Sequence, residues 1–274
     1  MEDVARHYGS FDVLDAILNA LQAEGKDLER LTLEDLAPVD EMHIRGREAT
    51  AELAELAGAA AGMKVLDVGC GLGGSSRYLA AEYDCDVTGI DLTPEFCTAA
   101  TELSKRVGLS AQTHFRCGSA LDMPFEDGSF DLAWTQHAQM NIADKRGLYA
   151  EIFRVLRPEG KFVFHDIFSG PGGAAHYPTH WAETASLSHL IAPDELRELL
   201  AEIGFQVVEW RDKTDISRDW FLAVLQKRRE EPPPRLGLHL LLGETGPTKF
   251  QNIGRNLVEG RISAFQGVLT KGVN

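Results

Sequence analysis

The chain has 274 residues, 44% of them hydrophobic, enough for one α/β unit with an elaboration around a sizeable core. Lys and Arg number 27 against 42 Asp and Glu, a formal charge of −15, so a nucleic-acid backbone or an anionic lipid surface would meet net repulsion. No apolar stretch approaches the roughly 20 residues of a membrane helix, the acidic amino terminus shows no signal core, and Cys70, Cys85, Cys97 and Cys117 form no C-x-x-C pair, so a reduced, cytoplasmic protein without a zinc or redox motif is expected.

Residues 11–22 carry Phe11, Leu14, Ile17, Leu18 and Leu21 at helical spacing, and 49–60 repeat the pattern, so two or three helices form an amino-terminal lead-in over residues 1–60. From residue 61 to 274 short apolar runs alternate with helical periods. Strands are expected at 63–68, 86–91, 112–117, 130–135, 161–167, 206–211 and 261–270, with helices near 74–83, 94–107, 144–156 and 193–203. This alternation predicts a doubly wound, Rossmann-like α/β sheet with helices on both faces. Two stretches depart from it. Residues 213–260 are too long for a loop and carry Trp220, Phe221, Val224 and Leu225 at helical spacing, so they are expected to form a helical cap, broken at Pro232-Pro233-Pro234. Residues 169–191 follow a strand's carboxyl end, where open α/β sheets bind ligands, and are rich in His and aromatic side chains.

The strongest motif is Asp67-Val68-Gly69-Cys70-Gly71-Leu72-Gly73-Gly74, a strand entering a glycine-rich turn and then a helix. Glycine permits positive φ and close backbone approach by a nucleotide. The next strand ends in Asp91, placed to accept both ribose hydroxyls. Gly69, Gly71 and Gly74 also satisfy G-x-G-x-x-G, so a dinucleotide such as NAD is a second reading, making the chain an oxidoreductase. Asp67 separates the two, because an acid two residues before the first glycine suits a cationic ligand better than a pyrophosphate.

These residues, together with Gly89-Ile90-Asp91, Cys117-Gly118-Ser119-Ala120-Leu121-Asp122-Met123-Pro124-Phe125, Phe130-Asp131-Leu132-Ala133-Trp134 and Arg154-Val155-Leu156-Arg157-Pro158-Glu159-Gly160-Lys161, resemble the class I S-adenosylmethionine-dependent methyltransferases over roughly 63–168. The resemblance implies a seven-stranded sheet whose last strand is antiparallel, and S-adenosylmethionine as cofactor. It implies that Gly69, Gly71 and Gly73, with Asp67 beside them, hold the methionine end, that Asp91 and Leu92 hold the ribose, and that Ser119 and Ala120 flank the adenine, with Gln136 also at the cofactor. Within the family, Gly46-Arg47-Glu48-Ala49-Thr50, Leu72-Gly73-Gly74 and the insertion before the last strand are similar to the phosphoethanolamine and sarcosine/dimethylglycine methyltransferase group. By the same likeness Tyr8 closes over the cofactor and His43 lies near its methionine end. Where that group has S-x-D-A-x-x-H, this chain reads Thr135-Gln136-His137-Ala138-Gln139-Met140-Asn141, so His137 replaces the acid and Asn141 the histidine. The exchange removes the carboxylate that a cationic amine acceptor would meet.

The function expected is methyl transfer to a small molecule through an N, O, S or activated C nucleophile; a SAM-binding scaffold that has lost its chemistry is the other reading. His137 is the candidate base, with a loop-holding hydrogen bond as its alternative role. His43, Asn141, Tyr177 and Trp181 are candidate acceptor contacts, and Trp220 and Phe221 are read either as pocket wall or as core. His176, His180 and His189 have no Cys or acid completing a ligand set, so no metal is expected.

Overall fold

The computed structural model describes residues 13–231 and 234–272; Tyr8, the start of the expected 11–22 helix, Pro232 and Pro233 lie outside them. Three helices come first: α1 (Val13–Ala23), α2 (Leu33–Asp40) and α3 (Gly46–Ala57). Val13, Ile17 and Leu21 recur every fourth residue on one face of α1 and are buried, packed on Phe96, Ala99 and Leu103. Thr32 and Asp35 form a reciprocal capping box that fixes where α2 starts.

The alternating part runs β1 (Lys64–Val68), α4 (Gly74–Tyr83), β2 (Asp86–Asp91), α5 (Pro94–Arg106), β3 (Thr113–Cys117), β4 (Phe130–Gln136), α6 (Lys145–Val155), β5 (Leu156–Ser169), α7 (Pro193–Ile203) and β6 (Phe205–Asp212). Then come α8 (Thr214–Glu230), the short α9 (His239–Leu242), α10 (Gly246–Val258) and β7 (Ile262–Lys271). The strands form one sheet in the order β3-β2-β1-β4-β5-β7-β6. All pairs from β3 to β5 are parallel, and β7 runs antiparallel to both β5 and β6. Buried apolar side chains fill both faces, with Leu66, Ile152 and Phe162 on one and Leu53, Val65 and Trp134 on the other.

Strand ends match the sequence expectation to within a residue except at β5, which begins at Leu156 rather than 161. Leu156 already pairs with Phe130, and the register then jumps so that Lys161 meets Leu132. The residues between bulge out, with Glu159 at φ 62°, which is why Arg157-Pro158-Glu159-Gly160 reads as a turn. The predicted 49–60 helix sits three residues earlier, because Gly58 adopts φ 65° and closes α3 at Ala57. Chain order reverses between β1 and β4, so their carboxyl ends open a crevice, the place where doubly wound sheets bind ligands.

Candidate active site

That crevice holds a cavity of about 450 Å3. The loops after β1, β2, β3 and β4 supply Asp67, Gly69 and Gly71; Asp91 and Leu92; Ser119 and Ala120; and Gln136, His137 and Asn141. The segment after β5 adds His180, Trp181 and His189, and the α2–α3 turn adds Met42 and His43.

Gly69 has φ 76°, and a Cβ there would lie 2.6 Å from that of Ala138, so only glycine lets the turn pass under the β4 loop. The Gly71 N–H donates to Asp91 Oδ2 and the Thr93 N–H to Oδ1, both at 2.9 Å. These bonds aim the carboxylate along the cavity floor and leave lone pairs on both oxygens. Gly73 differs from the expectation. It is not on the cavity wall: its N–H is taken by the Cys70 carbonyl at 2.8 Å, and a Cβ would strike Phe115. Its role is to start α4 at φ 82°.

Charge sorts the possible ligands. Asp40, Asp67, Asp91 and Asp144 line this cavity, and no Lys or Arg among the described residues does. Asp40 is neutralised by the buried Arg77, Oδ1 to Nη2 at 2.5 Å. Neither Asp67 nor Asp91 forms an ion pair with a described base. Burial pushes Asp67 up to about 6, partly offset by a 2.7 Å hydrogen bond from Ser76 Oγ, and burial raises Asp91 as well. A pyrophosphate here would add its charges to two unneutralised carboxylates. A cation would relieve both, and a ribose diol could donate to Asp91. The glycine cradle and the acids therefore fit a cationic nucleoside and not a dinucleotide.

A second cavity of about 500 Å3 adjoins the first, and His43, His137, His180, Trp181, Met42 and Leu238 line both. Its far wall comes from α8 and α10, with Trp220, Phe221, Phe250 and Ile253. At the shared wall the rings of His137 and His165 stack with centroids 5.1 Å apart, and His43 stands edge-on to each at 5.9 Å. His137 has φ 49°, a left-handed conformation uncommon for a side chain larger than glycine. Its backbone N–H donates to the His165 carbonyl at 3.0 Å, while its Nε2 is buried with no hydrogen-bond partner among the described residues. Burial, then the neighbouring His165 and His43, hold His137 well below 6.5. Burial likewise lowers His165, to about 3.

His43 Nε2 lies 3.0 Å from Glu41 Oε2 and 3.1 Å from Thr50 Oγ1. Burial pushes the Glu41 carboxyl up, but hydrogen bonds from His43 and Thr50 and the charge of Arg47 outweigh it and keep it below 4.5. Thr50 continues to Gln136, whose Oε1 also accepts from Trp134 Nε1 at 2.9 Å and Ser75 Oγ at 2.5 Å. One polar network thus ties α2 and α3 to β4 and α4. Asn141 Nδ2 donates to the Trp181 carbonyl at 2.7 Å, which joins the loops after β4 and β5. Tyr177 is not brought to either cavity wall; it packs beside Trp181 within the apolar cluster under α8 and α10. Residues 13–231 and 234–272 contain no group of three or more His, Cys, Asp or Glu able to hold a metal, and none of their helices is long and apolar enough to cross a membrane. Glu41 and Thr50 were missed in the sequence, although the G-R-E-A-T stretch that holds Thr50 was singled out there.

Residues 66–164 match a methyltransferase domain model. An O-methyltransferase of Penicillium expansum, cnsE, is 35% identical over 184 residues, 67% of this chain and 65% of that protein. The O-methyltransferase rstn1 of Aspergillus nomiae is 30% identical over 179 residues, 65% of this chain and 80% of that one. Two other relatives are matched over 29% and 30% of their length, so the chain spans less than two thirds of these first relatives. Among solved structures, the geranyl diphosphate C-methyltransferase of Streptomyces coelicolor, bound to geranyl diphosphate and S-adenosyl-L-homocysteine, superposes with a TM-score of 0.71 at 18% identity, covering 98% of this chain and 97% of that one.

Proposed function

The chain belongs to the class I S-adenosylmethionine-dependent methyltransferases, and from that premise we propose that it transfers a methyl group from S-adenosylmethionine to a small molecule held in the second cavity. The observation that carries the reading is the first cavity's pairing of a glycine cradle with Asp67 and Asp91, which have no basic partner among the described residues, opening at a histidine wall into a largely apolar chamber. Asp91 and Leu92 would hold the ribose, Gly69, Gly71 and Asp67 the amino-acid end, and Ser119 and Ala120 the adenine. When bound, the cofactor supplies a methyl group made electrophilic by a sulfonium. Helices α2 and α3 and the described part of the 213–260 insertion would form the roof, which keeps water from competing with the acceptor.

In-line transfer requires the acceptor to be aligned and its proton to leave. His137 presents its buried, partnerless Nε2 at the wall between the chambers and accepts a hydrogen bond from the acceptor's O–H, N–H or S–H. Burial keeps the ring neutral, the form a base needs, and makes a standing imidazolium costly, so the proton moves to Nε2 only as the new bond forms. His43 and Asn141 hold the segments on either side, and Trp181 closes the chamber.

The test is S-adenosylhomocysteine formation by the full chain in a mixed metabolite pool, followed by single-turnover rates for the acceptor identified. Because His137 lies well below 6.5, the wild-type rate should show no histidine titration between about pH 6 and 9, and His137→Gln should lower it roughly 10²-fold or more while leaving cofactor affinity unchanged. A His137→Gln rate equal to wild type would remove the histidine from this role, and a wild-type rate that rises through a histidine-like pKa absent from His137→Gln would show that the ring is a base not held neutral by burial. Bound NADH fluorescence in place of S-adenosylmethionine binding would overturn the cofactor assignment.

A further inference from the structure

The second cavity differs from the first in charge. Its ionised lining is Glu41, Glu231, Arg47, Lys227 and Arg228, two acids and three bases. Arg47 Nε is 3.2 Å from Glu41 Oε1, and Lys227 Nζ is 3.7 Å from Glu231 Oε2. Arg228 is left over: among the described residues no carboxylate comes within ion-pair distance of it. Other basic side chains close to the site are spoken for, Lys249 by Glu183 at 2.5 Å and Arg45 by Glu52 at 2.7 Å.

The placement of Arg228 is specific. Its guanidinium carbon lies 3.7 Å from the centre of the Phe250 ring, and that ring is 4.5 Å from the ring of His180, which lines both cavities. A guanidinium this close over an aromatic face is held there by cation–π attraction, which uses none of its N–H donors and leaves them for an oxyanion. Half-burial lowers the Arg228 pKa, and no acid offsets it, so its charge is incompletely solvated. Around it the chamber is apolar, with Trp220, Phe221 and Ile253.

We propose that the methyl acceptor is a molecule with an apolar, ring-sized body and one anionic group, a carboxylate or a phosphate ester, seated on Arg228 while its nucleophile meets the histidine wall. The proposal rests on the methyl-transfer reading above and adds the substrate class.

The experiment is calorimetric titration of the full chain, with and without S-adenosylhomocysteine, by 2-naphthoate, 2-naphthyl phosphate and the uncharged 2-naphthamide. Wild type should bind at least one of the anions roughly ten- to a hundredfold more tightly than the amide, the usual worth of a charge-assisted bond, and which anion wins identifies the acidic group. Arg228→Gln should bring that anion down to the amide's affinity while leaving the amide and S-adenosylhomocysteine affinities unchanged, and Arg228→Lys should fall between. Anions that bind no better than the amide, including no binding at all, or an anion preference that survives Arg228→Gln, would overturn the proposal. Failure of S-adenosylhomocysteine to bind wild type would instead defeat the methyl-transfer reading, and the cofactor-free titrations would still judge Arg228.

Discussion

The two cavities share a wall of histidines yet are built from different parts of the chain and carry opposite charge. The first is made from strand-end loops of the parallel part of the sheet, and among the described residues its acids without a basic partner are Asp67, Asp91 and, exposed at the rim, Asp144. The second is made from helices added at both ends of that sheet, and among the described residues its unpaired charge is Arg228. On the proposed function the contrast is a division of labour: the sheet would fix a site for a cationic ligand, and the added helices would choose what is brought to it. His137 stands on the border, at the end of β4 and on both walls.

The contrast depends on α2 staying docked to the sheet, since α2 and its turn line both chambers. The dock is Asp40 on α2 paired with Arg77 on α4, both buried. Arg77→Leu should therefore be the most damaging single change, costing about 3–5 kcal/mol in urea unfolding, because it strands a buried carboxylate. The Asp40→Leu/Arg77→Leu double variant should recover most of that loss. A single-variant loss near zero would mean that α2 is held by apolar packing alone.

A smaller effect sharpens the charge contrast. Asp67 titrates at about 6 in the folded protein, above its ordinary 3.8. Its protonated form is favoured in the native state, so its contribution to folding stability is full below about pH 4 and is lost as pH rises through 6. Binding of a cation has the opposite sign, because it needs the carboxylate. Affinity for S-adenosylmethionine should accordingly rise from pH 5 to 7, by no more than about tenfold per unit, and then level off. Asp67→Asn should flatten the rise; an unchanged slope would show that the cation does not sense Asp67.

The first cavity was largely legible in the sequence because its parts are local. A strand, a glycine turn and an acid at the next strand's end lie within 25 residues, Asp67 to Asp91, and each has a mechanical reason to be where it is. Gly73 lies off the cavity wall, which the motif did not reveal, because a glycine pattern does not say which glycine lines the crevice and which begins the helix. The second cavity was less legible because no motif contains it. Trp220 and Phe221 stood out by spacing, but Arg228 acquires its meaning only when α10 lays Phe250 beneath it, and Glu41 only when α3 brings Thr50 and Arg47 against it. Tyr177 was grouped with Trp181 by adjacency, and the chain turns one to the wall and the other into the cluster behind it.

The most direct measurement of the central claim is a crossed titration: Asp91→Ala and Arg228→Gln, each against S-adenosylmethionine and 2-naphthoate or 2-naphthyl phosphate, whichever wild type prefers. Two independent sites of opposite charge predict a double dissociation. Asp91→Ala should weaken S-adenosylmethionine by roughly ten- to a hundredfold, about 1.5–3 kcal/mol, and leave the anion nearly untouched, while Arg228→Gln should do the reverse. Both ligands weakened alike by either substitution, or S-adenosylmethionine indifferent to the loss of Asp91, would contradict the account.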